Sequence, residues 1–235
     1  VLRLCVLFVM LAGAGFAGAQ TTVSFPTSDG GVVYADLYGN GERAVVLAHG
    51  GQFNKESWAA QAKRLKAAGF RVLAIDFRGY GKSHGPGDTD VMSAPLKLDV
   101  LAAVRYLRAS GAKHISAVGG SLGGWAVGDA SIASQPGEIE RVVMLGAAPE
   151  EPAEKLHSAT LWIVARQDAD GDKELRLPGI QKQFGKAPEP KRLIVLEGSA
   201  HAQFLFQTDQ GERVMQEILS FLTANDPASG TRDRQ

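Results

Sequence analysis

The chain has 235 residues, enough for one hydrophobic core and too few for two large domains, so a single domain is the expectation. Its 25 Lys and Arg balance 25 Asp and Glu, which leaves no field of one sign to hold a nucleic-acid backbone or an anionic membrane face. With 45% hydrophobic and 21% charged residues the composition is globular, and the one cysteine, Cys5, rules out an intramolecular disulfide framework and zinc or iron–sulfur sites built from cysteines.

Residues 1–19 open with Arg3, continue as an apolar run over 4–11 and close on the small residues Ala17-Gly18-Ala19. That pattern predicts a secretory signal peptide cleaved after Ala19, with an uncleaved membrane tether as the alternative. The run is too short to cross a bilayer comfortably, so no stable membrane span is expected after cleavage. Cleavage would also remove Cys5 and with it any cysteine nucleophile, which suits an oxidising compartment, so a secreted or periplasmic location is expected.

Residues 32–38 form the first strand candidate, after the turn-like Ser28-Asp29-Gly30-Gly31. Buried-strand candidates recur at 44–48, 71–75, 115–118, 141–145, 161–164 and 191–196, each a continuous apolar run bounded by loop residues. Helical patterns lie between them at 58–68, ending at Gly69, at 96–109, ending near Gly111, and at 125–134, with a last one at 211–224. This alternation predicts a doubly wound, mostly parallel α/β sheet flanked by helices, with ligands at the carboxyl ends of its strands. The domain is expected over 20–225 and a frayed tail over 226–235.

Gly119-Gly120-Ser121-Leu122-Gly123-Gly124 follows the strand candidate ISAV and precedes a helix, so this GxSxG lies in a strand–turn–helix setting. A turn that tight strains the serine backbone, and glycines are needed where a side chain would collide with a neighbouring element. Ser121 then projects its hydroxyl at the sheet end, and the free N–H of Leu122 at the helix start faces any oxyanion formed there. A glycine-rich packing turn is the bland alternative.

With three more segments the chain resembles the α/β-hydrolase superfamily, as a cap-less serine esterase-like member of dienelactone hydrolase or carboxylesterase type. His49-Gly50-Gly51-Gln52 matches the family's HG motif, 76–83 (DFRGYGKS) its DxRGxGxS loop, and Ser199-Ala200-His201 its histidine loop. The resemblance implies an α/β-hydrolase fold and a serine, acid, histidine order along the chain.

A serine hydroxyl requires a general base, and of His49, His84, His114, His157 and His201 the last fits best, in the loop after the final strand. His114 and His157 read as solvated, His49 as the family's structural loop histidine, and His84 as a residue of a glycine-rich loop at the pocket edge. The resemblance puts the acid at Asp168, with Asp170 and Asp172 as competitors in the segment LWIVARQDADGD. That segment lacks the EF-hand glutamate, so no metal is expected. The second oxyanion donor corresponds to Gly51, with Gln52 next.

A serine at the elbow favours acyl transfer to water over the halide or epoxide chemistry of aspartate members, with no cofactor. The short connection between the strands at 141–145 and 161–164 leaves no room for a cap, so an open pocket for short-chain carboxylic esters is expected. Gln52, Phe53, Trp125 and Phe204 are candidate pocket residues, with core packing the alternative reading of the aromatics. Arg78 and Lys82 are candidates to meet an acidic substrate, with loop support the simpler role for Arg78. The expected partner is a small-molecule ester, with no nucleic acid and an undetermined oligomeric state. A peptidase, thioesterase or lactonase on the same residues, or a non-catalytic binding protein of this fold, are the rivals.

Overall fold

The structure, a computed structural model, describes residues 20–224. The expected signal segment 1–19 and the tail 226–235 lie outside the described residues. Eight strands make one sheet: β1 (Thr21–Pro26), β2 (Val32–Tyr38), β3 (Arg43–Ala48), β4 (Arg71–Ile75), β5 (His114–Gly120), β6 (Arg141–Leu145), β7 (Ala159–Ala165) and β8 (Lys191–Leu196). Their spatial order is β1-β2-β4-β3-β5-β6-β7-β8. The pairs β1–β2 and β2–β4 are antiparallel and every other pair is parallel.

Parallel neighbours need crossovers, and helices supply them: α1 (Ala59–Ala67), α2 (Lys97–Ala109), α3 (Leu122–Ala133), α4 (Arg176–Lys186) and the terminal α5 (Gly211–Thr223). Successive side chains of β3 leave the sheet on opposite faces. Ala44, Val46 and Ala48 enter the core under α2 and α3, whereas Val45 and Leu47 enter the core under α1 and α5. Both faces are covered, which is why the inner strands read as unbroken apolar runs. Each Val or Leu fully buried there contributes about 1.5–3 kcal/mol.

Two elements depart from the sequence expectation. β1 is additional: among its residues TTVSFP only Phe25 is buried, so an edge strand with a solvated side carries no apolar run. α4 is also additional, because Pro178, Gly179 and Gly185 interrupt its pattern and Ile180 is its one buried residue. Pro178 is tolerated because it lies in the first turn, where N–H groups have no intrahelical partner. α3 begins at Leu122, three residues before the expected 125, so the helix starts directly behind Ser121. The helix expected from 58 is preceded by a 3-10 turn over Lys55–Trp58.

The register sets the carboxyl ends of the central strands level, Ala48 opposite Ile75 and Gly119, and Gly120 opposite Leu145. Between β6 and β7 the chain makes only a 3-10 turn at Ala153–Lys155, so no helical cap is inserted there. Among the described residues no helix is long and apolar enough to cross a membrane.

Candidate active site

Ser121 stands between β5 and α3 at φ 52 and ψ −118, a left-handed conformation that L side chains rarely adopt. Close packing enforces the bend. A Cβ on Gly119 would lie 2.1 Å from Gly123 O, and one on Gly123 would lie 2.2 Å from Ala48 O. Ser121 N–H donates to Leu145 O at 2.9 Å, which ties the bend to β6.

His201 follows β8 and brings Nε2 to 2.7 Å from Ser121 Oγ. Its Nδ1 lies 2.8 Å from Asp168 Oδ2 and 3.0 Å from Oδ1. Asp168 is fully buried, whereas His201 keeps 26% of its side chain exposed toward the cavity. A carboxylate that only accepts leaves Nδ1 as the donor, so Nε2 is free to accept from the serine hydroxyl.

The competing acids point elsewhere. Asp170 Oδ1 accepts the backbone N–H groups of Asp172 and Glu174, each at 3.0 Å, and so folds its own loop. Asp172 is exposed. Among the described residues no three His, Cys, Asp or Glu side chains converge as a metal site.

The loop after β3 supplies the opposite wall. His49 is completely buried, accepts Phe77 N–H at Nε2 (3.2 Å) and donates from Nδ1 to Gly50 O (2.9 Å). Burial pulls its pKa down, which keeps the ring neutral. Phe53 N–H also donates to Gly50 O, at 2.9 Å. In a trans peptide the N–H points opposite its C=O, so these two bonds orient the N–H of Gly51 away from them. The N–H groups of Gly51 and Leu122 have no protein acceptor among the described residues.

A cavity of about 340 Å³ opens on Ser121 and His201, lined also by Gly51, Gln52, Phe53, Phe204, Ala169, Asp170, Gly171 and Arg176. The rings of Phe53 and Phe204 lie 5.0 Å apart between centroids, tilted by 55°. Trp125 is not in that lining; it lines a cavity of about 480 Å³ with Met92 and Leu96, and another of about 380 Å³ that shares Asp170 and Arg176 with the Ser121 cavity. One helical turn past the serine, it faces these neighbouring cavities.

Lys82 and His84 do not line the Ser121 cavity either; His84 is exposed, with Nδ1 at 3.1 Å from Lys82 O. Arg78 is fully buried and bonded to Asp99, Asp29 and Pro86 O, which makes it the support of its loop. His114 pairs with Glu140 at the surface, and His157 lies beyond the 3-10 turn with Nδ1 at 2.9 Å from Ser134 O.

A family model for the alpha/beta hydrolase fold matches residues 43–225. The chain belongs to the α/β-hydrolase family. This α/β-hydrolase is 34% identical over 127 residues to a non-heme chloroperoxidase from Streptomyces lividans, covering 52% of this chain and 44% of that one. It is also 34% identical over 125 residues to a bifunctional esterase/perhydrolase from Acinetobacter calcoaceticus, at 52% and 44% coverage. The matches thus span about half the length of these curated relatives or less. An esterase from Exiguobacterium antarcticum shares the fold with TM-score 0.70 at 17% identity, over 87% of this chain and 100% of that one.

Three residues of this α/β-hydrolase site carry no signal in the sequence. Gln203 bonds to Gly50 and Ser57. Gly146 packs behind the His201–Asp168 pair, where a Cβ would lie 3.0 Å from His201 Nδ1 and 2.9 Å from Asp168 Oδ2. Arg176 lines the cavity from α4, the helix that the periodicity did not reveal. Each depends on neighbours far away in the chain.

Proposed function

We propose that this α/β-hydrolase is a serine esterase acting on small carboxylic esters. The observation that carries the reading is the continuous run of contacts from Asp168 through His201 to Ser121 Oγ, next to two unpaired backbone N–H groups. Ser121 Oγ attacks the ester carbonyl while His201 Nε2 takes its proton, and the N–H groups of Leu122 and Gly51 donate to the oxygen as it becomes negative. Asp168 holds the Nδ1–H tautomer and stabilises the imidazolium. Collapse breaks the bond to the alkoxy group, which leaves as the alcohol with the proton from His201, and the acyl group stays on Ser121. Water then gives a proton to His201 and attacks the acyl carbon, releasing the acid and restoring Ser121.

The cavity volume and the absence of an inserted cap between β6 and β7 favour small substrates over long triglycerides. The esterase/perhydrolase relative is consistent with acyl chemistry at this site. The pattern of residues 1–19 supports export, to be checked by sequencing the N-terminus of secreted protein for a start at Gln20. The central test is labelling with a fluorophosphonate probe together with hydrolysis of 4-nitrophenyl butyrate. Both are expected in the wild type and absent in folded Ser121→Ala protein. Full turnover by that variant would overturn the proposal.

A further inference from the structure

Arg176 occupies the first position of α4, and its side chain forms part of the cavity wall facing Ser121. Its Nε is shielded from solvent and has no hydrogen-bond partner. The nearest acid is Asp168, whose Oδ1 lies 3.4 Å from Nε without hydrogen-bond geometry. Among the described residues no other carboxylate comes within ion-pair distance of this guanidinium, and none of its N–H groups finds an acceptor. Arg78 makes the contrast plain, since its N–H groups are spent on Asp99, Asp29 and a backbone carbonyl.

A guanidinium stays charged at every accessible pH and presents its donors as a planar fork that matches two carboxylate oxygens. Only 28% of the Arg176 side chain is exposed, so its charge is held at the rim of a partly enclosed cavity where pairing is screened less than on an open surface. Asp168 faces its Nε edge, which leaves the terminal N–H groups for a ligand. Asp170 shares this wall, but its Oδ1 is occupied by two backbone amides. Phe53 and Phe204, with ring centroids 5.0 Å apart, add apolar surface to the same cavity. The cavity therefore offers both apolar surface for a hydrocarbon group and a cation for an anion.

We propose that Arg176 is a specificity-determining residue that selects esters carrying a carboxylate a few bonds from the scissile carbonyl, half-esters of dicarboxylic acids among them. The inference rests on the esterase reading above and adds the class of acyl group.

The test compares mono-4-nitrophenyl adipate with 4-nitrophenyl hexanoate, which has the same chain length and no charge, in the wild type, Arg176→Gln and Arg176→Lys. The wild type is expected to prefer the adipate in kcat/KM. In Arg176→Gln the adipate-to-hexanoate ratio falls about 30-fold, the size of a lost charged hydrogen-bonded contact, chiefly through KM. Arg176→Lys keeps the charge without the fork and retains part of the preference. A ratio near one in the wild type, or one that survives in Arg176→Gln, overturns the inference while leaving the esterase reading intact. Calorimetric titration of free adipate into Ser121→Ala protein, with and without Arg176→Gln, separates the two ideas. If neither ester is turned over but adipate binds in an Arg176-dependent manner, the anion site stands and the esterase reading falls. No adipate binding removes the anion site.

Discussion

Gln203 Oε1 accepts the amide hydrogen of Gly50 at 2.7 Å, joining two loops that are 153 positions apart in the chain. Its Nε2 donates to Ser57 Oγ at 2.8 Å, so one buried side chain links the histidine loop, the loop after β3 and the turn leading into α1. Gly50 is thereby held on both sides: its N–H by Gln203, its C=O by His49 and Phe53. The position of Gly51 N–H follows from that clamp. Because Gln203 comes two residues after His201, the proposed base and the proposed oxyanion donor are set by one turn of chain.

Gln203→Ala leaves the buried Gly50 N–H without an acceptor, which costs about 1–3 kcal/mol of stability. It also loosens the clamp on Gly51, so kcat on 4-nitrophenyl butyrate is expected to fall by about tenfold or more with little change in KM. Gln203→Glu keeps an acceptor toward Gly50 and should recover part of kcat. Steady-state kinetics beside thermal unfolding measure both effects, and a loss of stability with kcat untouched would count against the positioning role.

Asp168 and Asp170 are two residues apart and have different jobs. Replacing Asp168 by Asn offers His201 an amide in place of a carboxylate, and kcat is expected to fall roughly a thousand- to ten-thousand-fold. Asp170→Asn keeps an oxygen for the amides of Asp172 and Glu174 and should cost less than about tenfold. Parallel kinetics of the two variants decide the assignment, and the reverse ranking would reassign the acid.

Gly146 has φ 61 and touches the rear of the His201–Asp168 pair. Gly146→Ala puts an L residue in a left-handed conformation, costing roughly 1 kcal/mol or more, and presses a methyl group onto both side chains. Melting is expected several degrees lower and kcat reduced, with slower fluorophosphonate labelling of Ser121. Wild-type labelling kinetics in this variant would mean that the pair yields without losing its alignment.

His49 supplies a pH dependence of stability. Burial lowers its pKa from the ordinary 6.5, so below about pH 6.5 the unfolded chain binds a proton that the folded chain excludes. Its contribution is fully present above that pH and is lost as the pH falls toward the folded-state value. Thermal midpoints measured from about pH 8 to pH 5 are expected to decline in the wild type and to decline less steeply in His49→Gln, from a lower starting point. Equal slopes would show that another group governs the acid limb.

The inner strands were legible because a strand covered on both faces must be apolar along its buried stretch, as β3 and β6 are after their first residues, Arg43 and Arg141. The elbow was legible because its glycines are required locally, by backbone atoms only a few residues away or on the adjoining strand. β1 and α4 were not, since one is a half-solvated edge and the other carries Pro and Gly in a helix with a single buried contact. Nearness of Trp125 to Ser121 in sequence does not say which cavities its side of α3 opens on, and it lines two beside the Ser121 cavity.

Sequence alone therefore determined the alternation of strands and helices, the bend at Ser121 and the short set of histidines and acids from which a base and its partner had to come. Those properties follow from local sterics and from the spacing of apolar residues. The tertiary structure decided which carboxylate reaches His201, that Gln203 holds Gly50, that Gly146 leaves room behind the pair, and that Arg176 enters the cavity with its Nε near Asp168 but no hydrogen-bond partner. Each of these is a contact between segments far apart along the chain, and no window of sequence contains both sides of such a contact.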